Sequence, residues 1–293
     1  MEKWNKYLEL TKPKVTLLNI LVGVTCFIFA DYPIIDFTAL TVFFIVAYMT
    51  AGGCGAINCY LDRDIDGLMF RTAKRAIPSG CIKPYNALLW GVILTLVGLS
   101  STYVVFGLST WVMVFLGALF YLIIYTIMLK RSTRWNVVIG ALSGSFAALA
   151  GWTASGRTLS TLPIFIGILD FLWTPGHLWS LAIRRIEEYQ QANVPMLPVK
   201  SGLRKTSQYI FIFNLMTFIF SILFTVLGLT GLLYTIVAIF SGLKLLHTSY
   251  KLLKSPSQDS GMKVFLASMP YLAFMMIGIM IDRIIPIKIN IID

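Results

Sequence analysis

Apolar residues in this chain fall in long, nearly unbroken runs, without the alternation of a half-buried strand or the narrow stripe of a surface helix. Runs long enough to cross a bilayer, about 20 residues, occur at roughly 15–35, 38–60, 85–106, 109–129, 136–156, 159–183, 206–227, 230–247 and 263–281. The pattern predicts an all-α membrane protein with nine transmembrane helices, residues 1–293 forming a single polytopic domain. The first run is too long, and has too little of a small-residue cleavage site behind it, for a removable signal peptide; the Lys-rich residues before it argue against a transit peptide. Most connections are short, but those at about 61–84 and 184–205 are not. Loops of that length carry function by default. They lie four spans apart, an offset that preserves orientation, so spans 1–4 and 5–8 read as a parallel structural repeat.

Composition agrees. The 293 residues are 57% hydrophobic and 13% charged, with mean hydropathy +0.80, against about 25% charged for a soluble domain. A net charge of +11 would otherwise point to nucleic acid, but that requires a water-soluble basic face; the solvent here is lipid, and no nucleic-acid partner is expected. Resolved by connection, 21 of the 24 lysines and arginines belong to the N-terminal segment and to the connections after spans 2, 4, 6 and 8. Short positive loops stay in the cytoplasm. The N-terminus and both long loops are therefore expected inside and the C-terminus outside. Cys26, Cys54, Cys59 and Cys81 form no CxxC pair and read as packing residues.

The first long loop begins Asn58-Cys-Tyr-Leu-Asp62-Arg-Asp64-Ile-Asp66 and continues to Arg71, Lys74 and Arg75. If the helix continues, Asn58, Asp62 and Asp66 at i, i+4 and i+8 share one face. Carboxylates clustered at a membrane rim repel one another unless a cation neutralises them. Oxygen ligands of this kind suit Mg²⁺ held together with substrate phosphates, and the basic residues just beyond would hold a diphosphate as it leaves. The alternative is a solvated loop whose acids pair with Arg63, Arg71 and Arg75, and Lys74 is also explained by topology alone.

The second loop carries Asp170, Trp173-Thr-Pro175-Gly-His177, Arg184, Glu187, Glu188 and Tyr189. Glu187 and Glu188 lie on the same membrane side as Asp62 and Asp66, where they would add a metal or diphosphate contact. Asp170, His177 and Arg184, seven apart, fall near one helical stripe. An acid within a span is a functional candidate because isolated charge there is costly; the alternative is a protonated Asp170 bonded to a neighbouring helix. His177 reads as a haem-type ligand, a proton donor or a satisfied interior histidine, and His247 as a surface residue. Gly52, Gly53 and Gly55 follow no strand and so make no dinucleotide loop; with Gly140 and Gly144 they fit close helix packing.

These residues carry a resemblance. Leu10-Thr-Lys12-Pro13, Asn58-x3-Asp62-x3-Asp66-x2-Met69-x-Arg71-Thr72-x2-Arg75, Trp135-Asn136-x2-Ile139-Gly140, Trp173-Thr174-Pro175-x-His177-x-Trp179 and Tyr189-x2-Ala192-x2-Pro195-Met196-Leu197-Pro198 resemble the UbiA-type intramembrane prenyltransferases, and more closely the protohaem IX farnesyltransferase (haem O synthase) family. The sequence departs from the family pattern at Ala76, Gly176, Phe146-Ala147 and Glu188. The resemblance implies Mg²⁺ on Asp62 and Asp66, assisted by Asn58 and Glu188, with Arg71 and Arg75 on the leaving diphosphate. It also implies transfer from farnesyl or a longer prenyl diphosphate to a haem b vinyl group, followed by capture of the resulting cation by water. Lys74, Asp170, His177, Arg184, Glu187 and Tyr189 are the further substrate-binding candidates, with His177 against haem. A multi-pass protein of the cell membrane, its site opening on the cytoplasmic side and its product handed to haem A synthase or terminal oxidase assembly, completes the expectation. Rival readings are a prenyltransferase with a quinone-precursor or lipid acceptor and, from another class, a secondary transporter.

Overall fold

The computed structural model describes residues 2–287, which form helices and connecting turns without a β-strand among the described residues. A short helix α1 (Glu2–Leu10) precedes α2 (Pro13–Asp31) and α3 (Phe37–Leu61), whose end is extended by the single turn α4 (Arg63–Asp66). Then come α5 (Pro84–Leu119), running directly into a π-helix (Phe120–Leu129), α6 (Asn136–Gly140), α7 (Leu142–Ala154), α8 (Thr161–Arg184), α9 (Ile186–Gln191), α10 (Leu197–Val226), α11 (Leu232–Lys254) and α12 (Gln258–Ile284). Their starts follow local chemistry. Pro13 and Pro84 occupy first-turn positions, where a missing N–H costs nothing. Asp36 caps α3 by accepting from Ala39 N–H at 2.9 Å, and Ser257 and Ser260 form a capping box on α12.

Eight helices, counted among the described residues, are long and apolar enough to cross a membrane. The nine predicted runs differ from this count at one place, the 46-residue segment Pro84–Leu129, which counts as one. Gly107 interrupts it with φ 77° and ψ −175°, a conformation open essentially to glycine alone. The chain doubles back there. Gly91 on the first arm lies against Ile57 of α3, and Thr126 on the second arm bonds Asn58, one residue further along the same helix.

The helices meet through small residues, as membrane helices do. A Cβ on Gly53 would strike Gly91 O at 2.7 Å, and one on Gly140 would strike the Tyr125 ring at 2.6 Å. Trp179, Tyr234 and Tyr271 fill the interior between α8, α10, α11 and α12, while Val104 and Phe240 face outward. Cys26, Cys54 and Cys59 are buried as packing residues; Cys81 is exposed, because it lies in the loop before α5. His247 is exposed, as its position near a helix end predicts.

Candidate functional site

Through the end of α3 and into α4 the backbone keeps its four-residue repeat: Asp62 N–H donates to Asn58 O at 2.9 Å and Asp66 N–H to Asp62 O at 2.8 Å. Asn58, Asp62 and Asp66 therefore share a face, and each is 2% exposed or less, whereas Arg63 and Asp64 between them point to the surface. Three buried oxygen-bearing side chains in a row require partners. Lys12 donates to Asn58 Oδ1, and Asn58 Nδ2 donates to Thr126 Oγ1 at 3.0 Å. Lys130 donates to Asp62 Oδ2. Arg75 Nη1 reaches both oxygens of Asp66, at 2.9 and 2.7 Å. Burial works against the Arg75 charge, but the Asp66 carboxylate outweighs it and raises the guanidinium above its ordinary value.

The second wall is the π-helix. Its i to i+5 bonding, seen where Lys130 N–H donates to Tyr125 O at 2.8 Å, brings Tyr121, Thr126 and Lys130 to the Lys12, Asn58 and Asp62 side of α3. Helical turns of this kind concentrate at functional sites. Tyr121 and Tyr125 lie with rings nearly parallel, 6.1 Å apart, and the Lys12 ammonium is 6.0 Å from the Tyr121 centroid. Lys12 reaches this point because it sits in a left-handed turn, φ 51°, just before Pro13.

The second long loop closes over one corner. Arg71 N–H donates to Glu188 Oε2 at 3.4 Å, and Arg185 pairs with Glu188 at 2.9 Å. Burial pushes the Tyr189 phenol up; the neighbouring Tyr125 adds to this, while Lys130 and Arg71 oppose it. Glu188 thus ties the second long loop to the first at Arg71.

Other candidates are placed elsewhere. Lys74 packs its ammonium 5.3 Å over the exposed Phe70 ring. Arg184 pairs with Asp259 and Glu187 accepts from Gln258 Nε2 at 2.9 Å, both at the start of α12. His177 bonds Ser268 Oγ through Nδ1 at 2.7 Å and is stacked between Trp173 and Phe265, so the Arg184 and His177 stripe faces α12. Asp170 faces α7 at Gly144. Residue spacing alone misses Lys12, Tyr121, Thr126 and Lys130; a lysine following an uncharged span was the available signal for Lys130, but it reads equally as topology.

A buried pair of carboxylates ringed by cations, at the end of apolar helices, is the arrangement of a membrane transferase that handles a charged leaving group on a lipid tail. The chain belongs to the UbiA prenyltransferase family, which residues 16–277 match. It is a prenyltransferase enzyme and a multi-pass membrane protein. It is 38% identical over 280 residues to protohaem IX farnesyltransferase 1 of Cenarchaeum symbiosum, covering 94% of each chain. The protohaem IX farnesyltransferase of Caldivirga maquilingensis is 36% identical, with 96% of this chain and 99% of the relative covered. Among solved structures, a digeranylgeranylglyceryl phosphate synthase superposes with a TM-score of 0.79 at 22% identity, over 97% of this chain and 99% of the other. A UbiA homologue from Archaeoglobus fulgidus, bound to DMAPP and Mg²⁺, superposes with a TM-score of 0.72 at 16% identity, over 94% and 99%. Both have the same helical fold.

Proposed function

We propose that this enzyme transfers the prenyl group of farnesyl diphosphate, or of a longer prenyl diphosphate, to a vinyl group of haem b, with addition of water, giving haem O and diphosphate. The observation that carries the reaction class is the row of buried oxygen ligands, Asn58, Asp62 and Asp66, each matched by one cation, Lys12, Lys130 and Arg75. Haem as acceptor is supported by the relatives' names at 35–38% identity over nearly the whole chain.

The residues fit a divalent cation. Asp62 Oδ1 is buried with no hydrogen-bond partner, a carboxylate oxygen free to accept one. Among the described residues no three His, Cys, Asp or Glu side chains gather into a self-sufficient cage. That agrees with Mg²⁺, which uses one or two carboxylates and takes its other ligands from phosphates and water. Asp62 and Asp66, with Asn58 and Glu188 assisting, would hold it, and when bound it neutralises charge on the departing diphosphate.

The chain's own groups do the rest. As a diphosphate enters, Lys12, Lys130 and Arg75 exchange their present partners for phosphate oxygens, and Arg71 adds a guanidinium from the loop. Bond breaking at the allylic carbon leaves a cation whose charge the Tyr121 and Tyr125 rings can face.

We read the two arms that meet at Gly107 as two crossings, nine in all, with the N-terminus and the site on the cytoplasmic side of the cell membrane and the C-terminus outside. Lys288 and the end of the C-terminal segment lie outside the described residues. Handover of product to haem A synthase or terminal oxidase assembly follows from the same reading. Incubation of membranes with farnesyl or geranylgeranyl diphosphate and haem b tests it, the expected result being the mass of a hydroxyalkyl-prenyl haem; prenylation of a hydroxybenzoate and not of haem would overturn it.

A further inference from the structure

Asp170, well inside α8, is 5% exposed. Its backbone carbonyl accepts from Thr174 at 2.8 Å, but its carboxyl has no hydrogen-bond partner in the protein. Across from it is Gly144 of α7: a Cβ there would occupy the place of Asp170 Oδ2, and Asn19 Oδ1 of α2 lies 3.8 Å from the same point. Asn19, half-buried, also has no partner. Three helices thus bring the Asp170 carboxyl and Asn19 Oδ1 together over a glycine, two acceptor oxygens that no other residue bonds. Polar groups left unmatched in a bundle interior are costly. The smallest species that satisfies two acceptors at once is water, donating both hydrogens.

The pair is near the chemistry. Asn19 is two turns of helix, about 10 Å, from Lys12, whose ammonium sits on Asn58 at the charged rim. It lies on the apolar side of that rim, the side into which a prenyl chain extends when its diphosphate is held by Lys12, Lys130 and Arg75.

We propose that Asp170, Asn19 and Gly144 form the site of the water that completes the reaction, with Asp170 as the base that takes its proton. This rests on the haem-prenylation reading. Once the carbon–oxygen bond has broken and its electrons have left with diphosphate, the vinyl π pair forms the new carbon–carbon bond to the allylic cation. Positive charge passes to the vinyl carbon beside the porphyrin ring. The water lone pair forms the carbon–oxygen bond there, and the proton released goes to the Asp170 carboxylate. Where water is not delivered, the same cation loses a proton from the adjacent carbon and becomes an alkene lighter than haem O by one water.

The test is the product ratio. Full-length enzyme in lipid nanodiscs is supplied with farnesyl diphosphate, haem b and H₂¹⁸O, and the products are resolved by mass. Wild type is expected to give hydroxylated product carrying ¹⁸O. In Asp170→Asn, and in Gly144→Ala, whose methyl would push the Asp170 carboxyl from its place while every polar group is kept, the dehydrated-to-hydroxylated ratio is expected to rise about tenfold or more. Asp170→Glu restores part of it. An unchanged ratio in both variants overturns the proposal, as does an Asp170→Asn protein that melts like wild type yet forms neither product. Wild type that prenylates no haem overturns the underlying reading, and the inference with it, before any variant is compared.

Discussion

Lys130 donates to Asp62 Oδ2 while Asp62 Oδ1, equally buried, has no partner. The carboxylate is thus half occupied by a cation that a diphosphate would draw away. Metal and diphosphate are therefore expected to bind cooperatively, each freeing the other's ligands. By calorimetry with a non-ionisable prenyl diphosphate analogue, Mg²⁺ is expected to bind at least about tenfold tighter in its presence, a coupling of roughly 1.4 kcal/mol. Lys130→Met should remove most of that coupling. Equal Mg²⁺ affinities with and without the analogue would contradict the arrangement.

The three aspartates of the first loop are not equivalent. Asp62 and Asp66 are 1% exposed, whereas Asp64 has a side chain 59% exposed and pairs with Arg131 at the surface. Asp62→Asn and Asp66→Asn are expected to lower kcat/KM for prenyl transfer by about 10² to 10³, the scale of losing one preorganised charge-stabilising group. Asp64→Asn should stay within about twofold. Rates measured with labelled farnesyl diphosphate check the contrast.

The Asp64–Arg131 pair predicts an acid limb in stability. Hydrogen bonds from Arg131, 2.7 Å to each oxygen, hold the Asp64 carboxyl down to about 2. A depressed carboxyl stabilises the fold only while ionised, so its contribution is complete above its ordinary value near 4 and is lost as pH falls toward 2. Both partners are largely exposed, which limits the effect to less than about 1 kcal/mol. Thermal melts of wild type and Asp64→Asn should differ slightly at pH 7, converge near pH 2, and differ less in high salt.

The spans were legible because lipid demands about twenty apolar residues in a row, and the Asn58, Asp62, Asp66 face because the helix keeps its repeat past its nominal end. The cations facing them were not. Lys12 lies 46 positions from Asn58 and reaches it only through a left-handed turn. Tyr121 and Thr126 share a wall because the π-helix turns every fifth residue inward, a register that a 3.6-residue reading does not sample. Lys130 and Arg131 looked like topology charges, since any lysine at a span end satisfies that rule. The Asp170, His177 and Arg184 stripe was visible, but which helix it meets depends on packing among α2, α7, α8 and α12.

Gly107 carries the reversal between the two arms of α5 and the π-helix at φ 77° and ψ −175°. Nothing crowds its Cβ position, so Gly107→Ala isolates the backbone strain from any steric clash. That strain is worth roughly 1–3 kcal/mol in a region closed to side chains. Alanine there should lower the melting temperature, whereas Gly67→Ala, at φ −68° with only ordinary van der Waals contacts at its Cβ position, should not. Matching melts for the two would place the reversal elsewhere.

Cys81 is the exposed cysteine among the described residues, the other three being buried, and it lies in the loop that carries Arg71 and Arg75. If that loop is cytoplasmic, a membrane-impermeant maleimide added to intact cells should leave Cys81 unlabelled and react only after permeabilisation. Leu108→Cys in a Cys81→Ser background should behave in the opposite way, because residue 108 follows the Gly107 reversal on the far side of the bilayer. Leu108 is 62% exposed on the protein surface. Labelling of both positions from the same side would mean that neither arm of the Gly107 hairpin crosses the bilayer, and would overturn the nine-span reading.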